Sequence, residues 1–269
     1  MNIVLLLNND IASNLALNLL LPSLSAHNIK VFLSSKVGGN SKRPKALQAL
    51  AKFEQQGIYR ALEQLPLRNG KSTGFKNYAE ITKQYGIAIE SLNQINSAQG
   101  RAKIQACSAD VIISIRYGAI LQKPIIALAK HGVINLHSGQ LPNYRGVMAT
   151  FWALLNGDKQ LATSLHFIDD CTIDTGSIIA HSTLPVQQGK SYLWHVLSLY
   201  VGGCQLIEQA INTLTCGAEL TTLAQTQQGN YFTFPSTEQI TTFTARCGAL
   251  YEENDVIDLF SLIEKKLAL

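Results

Sequence analysis

Charge is scarce in this chain. Only 15% of its 269 residues are charged, against 46% hydrophobic. That balance excludes a disordered chain and fits a packed globular protein. No apolar run reaches about 18 residues without a polar break, so no membrane span is expected. Cysteines number five, at 107, 171, 204, 216 and 247, an odd count with no closely spaced pair. A disulfide framework and a zinc knuckle are both poorly served, and the chain reads as cytoplasmic with reduced thiols and no metal. Repeats and low-complexity stretches are missing. The apolar first 24 residues have no basic lead-in, and Asn8, Asn9 and Asp10 interrupt them. They read as strand, turn and helix rather than as a signal peptide.

The net charge of +4 is too mild to imply a nucleic-acid partner. Its distribution says more. Residues 1–185 carry 18 Lys and Arg against 10 Asp and Glu, whereas residues 186–269 carry 4 against 8. The basic part suits an anionic ligand and the acidic tail does not.

Apolar runs alternate with helical patterns through the first half. Strands are expected at 3–7, 31–34, 87–91, 110–115 and 131–136. Helices are expected at 13–21 (ended by Pro22), 44–56, 77–84, 96–107 and 123–130, with a loop at 66–77. This alternation predicts an α/β fold, a doubly wound, mostly parallel Rossmann-like sheet whose ligands sit beyond the strand carboxyl ends. Beyond it come a helix at 147–156, strands at 162–168 and 177–186, and a long helix at 190–214. Strands near 220–225 and 231–234 and a terminal helix at 255–267 complete the reading. The length allows one domain with a small appendage. The catalytic domain is placed at 1–186, and a small C-terminal subdomain of helix and short strands at 187–269.

Two stretches carry the chemistry. In 132–146, GVINLHSGQLPNYRG, strand alternation puts Asn135 and His137 on one face. An amide that can donate to a developing oxyanion then stands beside an imidazole that can take an amine's proton. In 164–179, a strand runs into a loop with three carboxylates, Asp169, Asp170 and Asp174, followed by Thr175-Gly176. Turn chemistry accounts for an Asp in such a place, but the loop can also swing one carboxylate against an imidazole. His166 reads as packing or support, His131 as a strand entry, and Trp152 and Trp194 as core.

Together these stretches resemble the 10-formyltetrahydrofolate-dependent formyltransferases. An Asn-x-His pair leads into Leu-Pro-x-Tyr-Arg-Gly, and Asp174 follows His137 by 37 residues in an Asp-x-Gly-x-Ile-Ile run. The likeness is clear over roughly 110–186, diffuse over 1–109 and weak beyond. It implies that Asn135 stabilises the oxyanion, that His137 transfers the proton, and that Asp174 positions His137 and a water. It implies no covalent enzyme intermediate and no metal. The donor would be 10-formyltetrahydrofolate, its pterin held largely by main chain between Tyr117, Gly118, Ala119, Ile120 and Leu121 on one side and Asp169, Asp170, Cys171, Thr172 and Ile173 on the other. Leu121 lies 14 residues before Asn135, the spacing the family requires.

Asn9, Arg116 and Arg145 sit at or beside predicted strand ends and are candidates for holding the acceptor. The family has several acceptors. Ser138-Gly139 after the His, and a turn at Asn8-Asn9-Asp10 without a glycine-rich loop, depart from its purine-pathway members. The favoured acceptor is a small anionic amine, a nucleotide-linked amino sugar, with no nucleic-acid or membrane partner. The acidic C-terminal segment can supply a homodimer contact. The alternatives are methionyl-tRNA, a hydroxyornithine-type amine, and a hydrolytic or folate-binding relative that frees formate.

Overall fold

The computed structural model describes residues 1–35, 43–64, 75–225 and 229–267. Part of the loop expected at 66–77 lies outside them. The first strand, β1 (Asn2–Asn8), has nearly every side chain buried, as a central strand covered on both faces must. Ile3, Leu5 and Leu7 point into one core and Val4 and Leu6 into the other. Its parallel neighbours are β2 (Asn28–Ser34) and β4 (Val111–Ile115); β3 (Ile89–Ser91) pairs outside β2, and β5 (Val133–His137) outside β4. Two antiparallel strands, β7 (Gln160–Phe167) and β8 (Ile178–Pro185), finish the sheet in the order β3-β2-β1-β4-β5-β7-β8. The chain winds outward from β1 on one side and resumes at β4 on the other. A crevice therefore opens beyond the carboxyl ends of β1, β4 and β5.

Local chemistry sets the helices. Helix α1 (Ile11–Leu24) starts where the Asp10 carboxylate caps the Ser13 amide. Contrary to the sequence reading, Pro22 lies inside α1. Pro22 has no N–H for the Asn18 carbonyl and forfeits one helical hydrogen bond, while the buried Leu20, Leu21 and Leu24 hold the last turn against the core. Helix α2 (Lys45–Gln64) follows. Then α3 (Tyr78–Tyr85) opens on an Asn77–Glu80 capping box and closes on left-handed Gly86. The next helices are α4 (Ala98–Ala106), α5 (Lys123–Ile126), far shorter than the expected 123–130, and α6 (Ala149–Asn156).

Helix α7 (Tyr192–Thr215) packs on α1, β7 and β8. Across residue 186 the core is continuous, and one cluster joins Ile3 to Val196 and Ile263. Two elements were not expected: β6 (Tyr144–Gly146), paired in parallel with β9 (Asn230–Phe232), and α8 (Thr237–Cys247). The strand expected at 220–225 is a single bridge, Leu223 to Ile178. Helix α9 (Glu253–Leu267) ends the described chain. Trp152 is buried and stacks on Phe232. No helix of the described residues is long and apolar enough to cross a membrane.

Candidate active site

At the carboxyl end of β5 the side chains alternate as the strand dictates. Asn135 and His137 face the crevice. Across the antiparallel pair, Asn135 lies opposite His166 and His137 opposite Ser164, so His166 shares the face of Asn135. A register irregularity between Leu165 and His166 sits at this point, as such irregularities often do beside active sites. Asn135 Nδ2 is 3.1 Å from His166 Nε2.

The Asp174 carboxylate closes the group. Its Oδ2 is 3.5 Å from His137 Nδ1, and its Oδ1 is 3.5 Å from His166 Nε2. The Gly146 amide donates to Oδ2 at 2.8 Å. Asp174 is left-handed, with φ 55°, and this turn aims its side chain at the strand. Gly176 must be glycine, because a Cβ there would stand 1.9 Å from the Phe167 carbonyl oxygen. Burial works against the charge on Asp174. The neighbouring His137 and His166 and the Gly146 amide outweigh it and hold the carboxyl at about 2.

Hydrogen bonding fixes which nitrogens carry protons. A main-chain carbonyl only accepts. His137 Nε2, 2.6 Å from the Tyr144 carbonyl, therefore donates to it, which leaves Nδ1 as the basic nitrogen facing Asp174. His166 Nδ1 donates likewise to the Phe167 carbonyl at 2.8 Å, so its Nε2 accepts from the Asn135 amide. The second hydrogen of that amide is then free for an oxyanion in the crevice. The three groups make a proton acceptor, a carboxylate to stabilise the resulting imidazolium, and an oriented donor, which is a constellation for acyl transfer to an amine.

The crevice is a cleft of about 1650 Å³. Tyr117, Gly118, Ala119, Ile120 and Leu121 all line it, as do Asp170, Thr172 and Ile173; Asp169 and Cys171 do not. Ile120 is 56% exposed at the cleft edge, an apolar surface suited to a flat ring. Arg43, Lys45, Tyr231 and Phe234 line it too, with the Arg43 guanidinium 4.3 Å over the Phe234 ring.

The three residues expected to hold an acceptor fare differently. Arg116 lines the cleft but is tied to Asp10 and Glu54, at 2.8 Å each. One buried guanidinium serves two carboxylates. Its own pKa rises well above the ordinary value despite burial, while burial pushes Glu54 up to about 7. Arg145 turns away and donates to the Gly229 carbonyl. Asn9 is exposed outside the cleft wall. Asp10 also accepts from Asn8, so the α1 amino terminus is already served by an internal carboxylate.

Sequence reasoning underrated His166, Gly146 and the aromatic wall at 231–234. The pairing of His166 with Asn135 depends on the antiparallel register of β7 against β5, which no local pattern states. Gly146 acts through its main chain.

A family model described as formyl transferase matches residues 1–192. Among curated proteins, the methionyl-tRNA formyltransferase of Thermodesulfovibrio yellowstonii is 29% identical over 152 residues, 56% of this chain and 49% of that protein. The one from Agathobacter rectalis is 32% identical over 119 residues, 44% of this chain and 38% of that protein. The chain thus spans half or less of the length of these curated relatives. Among solved structures, a sugar N-formyltransferase from a Shewanella species aligns with TM-score 0.55 and 17% identity, covering 96% of this chain and 86% of that one. A glycinamide ribonucleotide transformylase from Symbiobacterium toebii aligns with TM-score 0.54 and 16% identity, covering 81% and 89%. Those identities speak for a shared fold. The family model covers well over half of the residues, and the chain belongs to the formyl transferase family.

Proposed function

We propose that the protein transfers a formyl group from 10-formyltetrahydrofolate to the amine of a small anionic acceptor, a nucleotide-linked amino sugar. The observation that carries the reading is the convergence of Asn135, His137 and Asp174 on one cleft wall. When bound, 10-formyltetrahydrofolate supplies the activated formyl carbon. Segments 117–121 and 170–173 would take its ring, and the fit rests on cleft size, apolar Ile120 and the main-chain groups beside it. The Asn135 amide donates to the negative charge developing on the formyl oxygen. His137 Nδ1 takes the amine's proton and returns it to the departing folate nitrogen as the formyl C–N bond breaks, and Asp174, ionised at neutral pH, stabilises the imidazolium between the two transfers.

Charge and shape support this acceptor. Arg43 and Lys45 bring positive charge to the cleft, and half-exposed Tyr231 offers a ring face. That suits a phosphorylated sugar. A tRNA needs an extended basic surface, since phosphate neutralisation supplies most of its affinity. Residues 186–269 offer 4 cations against 8 carboxylates. The second reading, methionyl-tRNA, has the names of the curated relatives in its favour. Competition decides: purified enzyme receives 10-formyltetrahydrofolate with methionyl-tRNA and a set of nucleotide-linked amino sugars together. Formylated sugar is expected. Formylated tRNA with no sugar turnover would overturn the assignment of the acceptor.

A further inference from the structure

Asp174 holds a backbone conformation that side chains other than glycine adopt at a cost of about 1–3 kcal/mol, and such residues persist only where their surroundings hold them. What holds this one comes largely from the C-terminal part of the chain. Gln225 Nε2 donates to the Asp174 carbonyl at 3.1 Å and to the Gly176 carbonyl at 2.7 Å. Both partners only accept, so the two amide hydrogens are committed to the two ends of the Asp174 turn. Gln225 Oε1 is buried with no partner among the described residues, and the side chain keeps that orientation at some cost. Two residues earlier, Leu223 exchanges main-chain hydrogen bonds with Ile178, 2.8 Å in each direction, where the loop re-enters β8.

A second stretch, 229–232, holds the opposite wall. β9 lies along β6, and the Val147 amide donates to the Phe232 carbonyl at 3.0 Å. β6 carries both main-chain contacts of the catalytic group: the Tyr144 carbonyl that fixes the His137 tautomer and the Gly146 amide that binds Asp174. The fit is close enough to require glycine. A Cβ on Gly229 would stand 1.5 Å from the Pro142 carbonyl oxygen, and one on Gly146 would stand 2.1 Å from that of Phe232.

We propose that residues 223–225 and 229–232 form a strap that positions the catalytic carboxylate against His137, with Gln225 as its positioning residue. Gln225 lies outside the cleft lining and acts through Asp174. Without it the turn loses its two anchors and relaxes to ordinary backbone, carrying the carboxylate away from both imidazoles. The kinetic consequence rests on the formyl-transfer reading; the geometric one does not.

The test is Gln225→Leu, which keeps bulk and removes both hydrogen bonds. A displacement of about 1 Å at a catalytic group costs on the order of a hundredfold, so kcat should fall roughly 10- to 100-fold. The KM for 10-formyltetrahydrofolate and the melting temperature should stay near wild type. The 15N shifts of the His137 and His166 rings should move toward those of Asp174→Asn, a readout that needs no acceptor. If wild type transfers formyl to nothing, the functional reading fails while the ring shifts still decide the strap. Gln225→Glu, nearly isosteric, replaces the leucine variant if that does not fold, and Gly229→Ala should give the same ring shifts by levering the strap off Pro142. Unchanged kcat with unchanged ring shifts would overturn the proposal. So would a kcat loss matched by lost binding of 5-formyltetrahydrofolate and a lowered melting temperature, since that pattern assigns Gln225 to folding.

Discussion

Replacing Asp174 by Asn removes one charge and little volume. The carboxyl titrates at about 2 instead of its ordinary 3.8. At 1.36 kcal/mol per tenfold in proton affinity, its surroundings favour the ionised form by roughly 2–3 kcal/mol. The carboxylate faces the imidazolium that forms on His137 as it takes the amine's proton, so loss of its charge lowers kcat by itself. Geometry adds to this. The Asn side chain keeps the Gly146 contact through its oxygen, which puts its NH2 group in the place of Oδ1, where it competes with the Asn135 amide for His166 Nε2. A total fall of at least about two orders of magnitude is expected, a usual size for lost proton transfer and preorganisation. The assay is 10-formyltetrahydrofolate turnover at saturating acceptor, with 5-formyltetrahydrofolate binding as the check that the cleft is intact. A variant that binds the analogue and keeps more than about a tenth of wild-type kcat refutes the role assigned to Asp174.

Asn135→Ala should cost about 100- to 1,000-fold in kcat while leaving 5-formyltetrahydrofolate affinity near wild type, since it removes one oxyanion donor; titration calorimetry beside kinetics reads both. Gly146→Ala puts a Cβ against the Phe232 carbonyl at a φ of 98° and should lower stability by roughly 1–3 kcal/mol together with kcat, as denaturant unfolding and turnover will show. Because Asp174 is depressed on folding, its contribution to stability is present above its ordinary 3.8 and lost as pH falls toward 2; unfolding of wild type and Asp174→Asn should converge there. Glu54 runs the other way. Pushed up to about 7, it stabilises the fold below its ordinary 4.5, and that stability is lost as pH rises through 7. Glu54→Gln should flatten this part of the unfolding profile between pH 5 and 8, and an unchanged slope would contradict it.

What could be read from the sequence was what periodicity and local chemistry state. The doubly wound sheet follows from apolar runs such as Ile3–Leu7 alternating with helices, and Asn135 and His137 share a face because strands repeat every two residues. Long-range pairings were invisible. Arg116 looked like a cation available to an acceptor, and its partners Asp10 and Glu54 lie 106 and 62 residues away in sequence. His166 joins the site through the antiparallel register of β7 against β5, and Gln225 through main-chain atoms 51 and 49 residues distant. β6 is three residues long, too short for any periodicity, whereas β9 overlaps the strand expected at 231–234. Helix α8 was legible and overlooked: Ser236 and Gln239 make the capping box that marks a helix start.

The central claim is that this site moves a formyl group onto an amine. The most direct measurement follows the carbon itself: 10-formyltetrahydrofolate labelled with 13C in the formyl group is incubated with enzyme and a nucleotide-linked amino sugar, and products are read by NMR. The labelled carbon is expected in a formamide on the sugar nitrogen, with tetrahydrofolate formed in equal amount and His137→Ala giving little of either. Labelled formate as the main product, with the amine unmodified, would contradict it.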